Sequence, residues 1–388
     1  MHLASVSIER PVLELACDGN FGGAAAPREM QEICDSFNEL FEELYPDSAV
    51  DEVCDRALEF YEGASKEIQS SFPAFEESVA VKDPRIEGDL VELVIDRYGY
   101  WGGAHGGGSR TGYHFDLQSG LFFDLTYVTD DIAGLNEAIA DEILSQIYDR
   151  NESDRYFSGY GETIRDYGDY NVALGNDSLT VIFGEYEILP YAAGIPEFEI
   201  SYGVVSRYLN EDGERLLAPS TESKVMGWYY EAFDMWYWFE GMLPFDYTDT
   251  VTVNRDGNEL NYTRVDIPGA DSIDDVRNMM LTRMTEELAD ARLDKAMNGT
   301  DYPLFLETAG KLYAMVWGRG GDMSIRSINY RVDMDPDGRG GRVVATITWQ
   351  DYDEDSGDWV LTGETSDFEY PFVIKDGGAV FTEFHTLW

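Results

Sequence analysis

Histidine, cysteine and lysine are all scarce in this chain of 388 residues: four, three and six respectively. Basic residues total 27 against 76 acidic ones, which leaves a formal net charge of −49. A chain this acidic cannot neutralise phosphates by counterion release, so nucleic acid and anionic membrane surfaces are poor partners, and no nucleic-acid partner is expected. No apolar run reaches the roughly 18 residues that a spanning helix needs. The N-terminus lacks a basic segment followed by an apolar core, so no signal peptide is expected within the chain. Glu14-Leu15-Ala16-Cys17 ends like a lipoprotein cleavage site, but Glu14 stands where an apolar residue is wanted. Cys17, Cys34 and Cys54 are an odd set with no Cys-x-x-Cys spacing and no histidine nearby. One disulfide with a spare thiol, or three thiols, both fit; zinc-ligand spacing is lacking. His2, His105, His114 and His385 are scattered, so neither a metal nor a cofactor is expected.

Apolar residues are plentiful by contrast. With 44% hydrophobic and 14% aromatic residues the chain builds cores rather than an acidic disordered tail. Its length suggests two domains. Acidic excess with few lysines suits a heavily hydrated surface, in salt or outside the cell, and implies no partner by itself.

Periodicity gives the element order. Residues 5–16 alternate loosely and read as a strand. Pro27 suits the first turn of a helix, with Ile33, Phe37, Leu40, Phe41 and Leu44 at helical spacing and Pro46 as its stop. Val50, Val53, Cys54, Ala57, Leu58 and Tyr61 mark a second helix. Strands are expected within 76–101, near 111–117 and 121–125, at 178–183 and at 198–202. A helix carries Ile132, Leu135, Ala138, Ile139, Ile143 and Ile147. Asn210-Glu211-Asp212-Gly213 and Ala218-Pro219-Ser220 read as a linker, placing domains at 1–212 and 221–388. Beyond it come a helix over 221–242, strands near 248–253 and 259–266, and a helical pair over 272–297 opened by a Ser272/Asp275 capping box. Strands near 311–317, 325–334, 341–350, 358–370 and 378–385 follow as a meander. The fold class is therefore α+β, with helices of the second domain packed on an antiparallel sheet.

The most distinctive string is Tyr98-Gly-Tyr-Trp-Gly-Gly-Ala-His105-Gly-Gly-Gly108. It lacks the Lys and Ser or Thr of a phosphate loop. Glycines at this density serve tight turning and let a partner approach the backbone. Tyr100, Trp101 and His105 are therefore the candidate partner-binding residues, and no catalytic residue is assigned. Asp333-x-Asp335-x-Asp337-Gly338 and Asp351-x-Asp353-x-Asp355-Ser-Gly357 mimic the start of a calcium loop but have Val344 and Thr362 where a bidentate Glu belongs, and read as hairpin turns. The stripe Met226, Tyr229, Phe233, Trp236 and Tyr237 reads as core.

Tyr100-Trp-Gly-Gly-Ala-His-Gly106, Thr111-Gly112, Leu117-x-x-Gly120 and Phe123-Asp124-Leu125 form one signature; Phe183-Gly-Glu-Tyr186-Glu187-Ile-Leu-Pro190-Tyr191-Ala-Ala-Gly194 forms another. Together, over about residues 5–210, they resemble the paired extracellular domains of unknown function of the anti-sigma-V factor, and similar domains preceding a peptidoglycan deacetylase. In that family the anti-sigma ectodomain recognises lysozyme. Asp246-Tyr-Thr, Tyr262-x-Arg-Val265 and Gly310-Lys311-Leu312-Tyr313 resemble the cell-wall DL-endopeptidase inhibitor family, and Phe381-x-x-Phe384 with Trp388 would suit a cystatin-like cone. The resemblances imply an exported, non-enzymatic binding protein of the cell envelope, extracellular or envelope-associated, whose partner is a cell-wall hydrolase or peptidoglycan. The alternative is a peptidoglycan-modifying enzyme with a site near His105.

Overall fold

The computed structural model describes residues 2–14, 28–299, 301–316, 322–354 and 357–387. Cys17, Pro27, Asp355 and Trp388 lie outside them. The chain divides into two compact units, Met1–Pro219 and Ser220–Trp388. Both mix helices with sheets that are antiparallel but for one parallel strand pair, an α+β architecture.

In the first unit β1 (Ala4–Ile8) pairs in parallel with β2 (Phe75–Glu87), and α1 (Arg28–Leu44), α2 (Ser48–Gly63) and α3 (Lys66–Ser70) lie between them in sequence. The strand expected over 5–16 stops early for two reasons. Pro11 has no N–H to give a ladder, and Asn38 takes the Leu13 backbone instead, accepting from its N–H at 2.8 Å and donating to its carbonyl at 3.0 Å. The α1 stripe buries Phe37 and Phe41, whereas α2 buries only Val53 and Ala57 and leaves Val50, Cys54 and Leu58 exposed. β3 (Leu90–Tyr100), β4 (Gly107–Asp116) and β5 (Leu121–Phe123) complete a five-stranded sheet in sequence order.

Next come α4 (Ile132–Asp149), α5 (Tyr160–Arg165), β6 (Val172–Leu174), β7 (Ser178–Ile182), β8 (Glu197–Ser201), α6 (Tyr202–Val205) and α7 (Glu211–Leu217). α4 buries Leu135, Ile139, Ala140, Ile143 and Ile147, the expected i, i+4 stripe, and its core includes residues of the three-stranded sheet β6-β7-β8. α7 corrects part of the linker reading. Asn210 caps it by accepting the Gly213 N–H, and Arg215 clamps both oxygens of buried Asp116 at 3.0 and 2.9 Å. Leu216 and Leu217 are buried in the same core. The polar look of 210–213 is a helix N-cap, not a tether.

The second unit runs α8 (Thr221–Tyr237), β9 (Phe245–Arg255), β10 (Asn258–Val265), α9 (Ile273–Met280), α10 (Glu286–Asn298), β11 (Phe305–Thr308), β12 (Lys311–Ala314), β13 (Ile325–Met334), β14 (Gly340–Asp353), β15 (Asp358–Lys375) and β16 (Gly378–Phe381). α8 ends earlier than the expected 242, passing into a 3-10 turn over Trp238–Glu240. The Ser272/Asp275 capping box is formed. The strands read as one meander divide between two four-stranded sheets, β11-β12-β10-β9 and β13-β14-β15-β16. Tyr229, Trp236 and Tyr237 of α8 are buried with Tyr370, Phe381 and Phe384, so the aromatic stripe is core. The Asp333–Gly338 segment is a hairpin turn between β13 and β14, closed by the Gly338 N–H on the Asp335 carbonyl.

Candidate functional site

The glycine string of the first unit forms the turn between β3 and β4. The strands stay in register up to Tyr98 opposite Gly108 and Gly99 opposite Gly107, so residues 101–106 must reverse the chain. Gly102 and Gly103 do this with φ of +87° and +123°, a region that disfavours any side chain. The Tyr100 hydroxyl ties the turn by donating to the Gly103 carbonyl at 3.1 Å. At Gly106 a Cβ would collide with the Tyr98 hydroxyl and with the Gly99 carbonyl at 2.7 Å.

His105 sits exposed at the end of this turn. Its ring stacks on Tyr191 with centroids 4.1 Å apart and lies 6.3 Å from the Tyr186 ring. Nδ1 is 2.7 Å from the Gly106 carbonyl, which makes it the N–H, and Nε2 faces the Tyr186 hydroxyl at 3.4 Å. The two strings that stand far apart in sequence thus meet on one surface. Tyr186 is 53% exposed and its backbone has φ of +66°, an unusual place for a bulky residue. Buried Phe183, Ile188 and Leu189 on either side hold the segment there. Burial and then the charge of Glu185 push the Tyr191 phenol up, with Tyr98 and Tyr186 adding to it. Gly107 and Gly108 are open towards Glu185: a Cβ on Gly108 would come within 3.3 Å of its carboxylate. The surface is therefore three tyrosines and a histidine beside a carboxylate and bare glycine backbone.

Trp101 goes elsewhere. It is half-buried, edge-on to Phe75 at 6.0 Å, with the Arg56 guanidinium 4.5 Å over its ring. It walls a small cavity of about 270 Å³ with Arg97 and with Glu77, which is 6% exposed and accepts from Arg97 Nε at 2.7 Å. So the structure sets His105 in the aromatic surface, uses Tyr100 to close the turn, and packs Trp101 beside Phe75. Tyr98, Tyr186 and Tyr191 were missed as site residues, although all three stand inside the two strings.

Two ties steady this surface. Arg110 of β4 bonds both oxygens of Asp96 on β3, at 2.6 and 2.9 Å, and reaches Glu197 of β8; its guanidinium holds the Asp96 carboxyl below the usual range. Gly112 of β4 lies so close to the Val172 carbonyl of β6 that a Cβ would overlap it, and its N–H donates to Asn171 Oδ1 at 3.0 Å. No group of His, Cys, Asp and Glu suited to a metal ion occurs among the described residues. Cys34 is buried, Cys54 exposed, and both are free thiols; burial, and then Asp35, raise the Cys34 thiol.

Residues 123–203 match the family described as "Protein of unknown function (DUF3298)". They form a DUF3298 domain. It spans α4 to β8 and supplies Tyr186 and Tyr191, while His105 comes from the hairpin before it. Solved structures similar to the chain include a DUF3298 family member from Bacteroides fragilis, 22% identical, covering 47% of this chain and 79% of that one with a TM-score of 0.38. A DUF3298 family protein from Pseudomonas aeruginosa is 16% identical and covers 55% of this chain and 98% of its own, with a TM-score of 0.35. A comparison with curated proteins found no match.

Proposed function

We propose that the first unit is the recognition module of an exported, non-enzymatic protein of the bacterial cell envelope, and that its partner is a peptidoglycan-active enzyme such as a lysozyme. The observation that carries this reading is the convergence of His105 with Tyr186 and Tyr191, with Tyr186 held exposed on a backbone of positive φ. Fixed tyrosines deliver contact area at small entropic cost and dominate interface energetics. The family resemblance of the two strings supplies the partner class. A net charge of −49 favours encounter with a basic enzyme without itself giving specificity. The ring nitrogens of His105 face a backbone carbonyl and a tyrosine hydroxyl, an arrangement that orients the ring for contact.

Calorimetric titration of the full chain with a basic lysozyme tests this, alongside co-sedimentation with insoluble peptidoglycan. His105→Ala and Tyr186→Ala are each expected to weaken lysozyme binding about tenfold, roughly 1.4 kcal/mol, while the melting temperature stays within about 2 °C. Loss of affinity in step with loss of melting temperature would make the cluster structural. Co-sedimentation without lysozyme binding would assign the wall itself as partner, and failure of both would end the reading.

A further inference from the structure

The second unit contains a cavity of about 480 Å³, within the range that holds a small organic ligand. Phe239 from the turn after α8, Ala296 from α10, Leu304 from before β11 and Met315 from after β12 give it apolar walls. Into this lining α10 sets a charge. Arg292 is 6% exposed, its guanidinium 4.2 Å from the Trp236 ring and 5.3 Å from the Phe239 ring. Nη2 donates to Glu240 Oε1 at 2.7 Å and to the Trp236 carbonyl at 3.3 Å, while Nε–H meets no acceptor among the described residues. Glu240 Oε1 also accepts from the Thr386 hydroxyl at 3.1 Å.

A buried ion pair returns little to a fold beyond what apolar residues of the same volume would give, since desolvation offsets the attraction. An unmet donor on that pair is a further cost. The pair is therefore poorly explained as a device for holding α10 in place, and well explained as the polar end of a binding site. Among the described residues both guanidinium hydrogen bonds leave Nη2 and none leaves Nη1, whose donors are therefore available to a ligand. Oε1 of Glu240 is already taken twice. The inner polar end of the cavity thus offers donors. One helical turn on, Lys295 stands exposed among the lining residues and enters no ion pair among the described residues. Asp301 also lines the cavity and opposes an anion.

From this we infer that the second unit binds a small amphiphile with an apolar body and a carboxylate-like end. The body lies against Phe239, Ala296, Leu304 and Met315, and the anion faces Arg292 and Lys295. This site is independent of the aromatic surface of the first unit.

The test is displacement of the fluorescent anion 8-anilinonaphthalene-1-sulfonate from the full chain by decanoate, kept below its micellar concentration. Saturable displacement is expected from decanoate and none from decyltrimethylammonium, which has the same chain and the opposite charge. Lys295→Gln should weaken decanoate binding about tenfold, Asp301→Asn should tighten it, and Ala296→Phe should abolish it by filling the cavity. If Ala296→Phe fails to fold, Lys295→Gln decides, because that side chain is exposed. The inference is overturned if decanoate displaces nothing, if the cationic amphiphile competes equally, or if Lys295→Gln binds decanoate like the parent chain.

Discussion

Glu92 and His114 face each other across β3 and β4, with Nε2 and Oε2 3.4 Å apart and both side chains nearly sealed from water. Burial sets their protonation. It pushes the Glu92 carboxyl up to about 8, against the Leu174 N–H and Arg85 that pull the other way. It pushes His114 down to about 4, with Asp124 opposing and Arg85 assisting. Near neutral pH the pair is thus a carboxylic acid facing an uncharged imidazole rather than an ion pair. From about pH 4 to 6.5 the unfolded chain holds a proton on His114 that the native one lacks, so stability climbs with pH. From about 4.5 to 8 the native Glu92 holds a proton that the unfolded one lacks, so stability falls as pH rises. The two trends oppose each other up to about pH 6.5; above it the His114 contribution fades and Glu92 dominates, costing at most about 1.4 kcal/mol per pH unit and less as its folded value near 8 is approached. Glu92→Gln retains an acceptor for the Leu174 N–H, which Glu92 Oε1 now accepts at 2.9 Å, and removes the titration. Urea unfolding at pH 6.5, 7.25 and 8 is expected to show a decline of roughly 1 kcal/mol in the parent, the Glu92 loss being partly offset by the tail of the His114 titration, and no decline in Glu92→Gln. Parallel declines would contradict the buried-acid assignment.

Among the elements, β4 does the most to position the site. It begins in the glycine turn beside His105, pairs with β3, and at Gly112 passes against the backbone of β6. The junction tolerates no side chain, since a Cβ at Gly112 would overlap the Val172 carbonyl, and two backbones cannot yield as a flexible side chain would. Gly112→Ala is therefore expected to lower stability by about 3 kcal/mol, the upper part of the usual overpacking range. That corresponds to a fall of roughly 6–12 °C in melting temperature for a unit of this size. Thermal unfolding followed by circular dichroism checks this, and a midpoint within about 2 °C of the parent would show that the strands can separate without loss.

At the scale of the whole molecule the chain is two compact units, each burying its own hydrophobic clusters. Ser220–Trp388 contains a buried cluster from α8, α9, α10 and the β13–β16 sheet, and the smaller cluster of Leu260, Tyr262 and Tyr313. A segment of this size that buries its own core can in principle fold alone, and we propose that this one does. Expressed from Ser220 onward, it is expected to unfold in one cooperative transition with native-like near-ultraviolet circular dichroism. A product that keeps secondary structure but lacks that signal and aggregates would show that the first unit is needed for packing.

The sequence alone determined whatever depends on neighbours a few positions away. The apolar stripe of α4, the Ser272/Asp275 capping box, the core stripe of α8 and the aspartate-rich hairpin turn follow from helical spacing, side-chain capping and turn chemistry. It misplaced elements where a distant partner overruled local preference: Asn38 claims the backbone of Leu13, and Arg215 fastens 211–217 to buried Asp116. His105 was legible because its glycines are a local signal. Its partner Tyr186 stands 81 residues away, and nothing in the pairing of their side chains is encoded at short range. The tertiary structure decided that meeting, because burying Phe183, Ile188 and Leu189 leaves the residues between them turned outward. The cavity around Arg292 has the same origin. It exists only where α10, the Trp238–Glu240 turn, the segment around Leu304 and Met315 after β12 enclose it, and no periodicity along one segment records a space bounded by four.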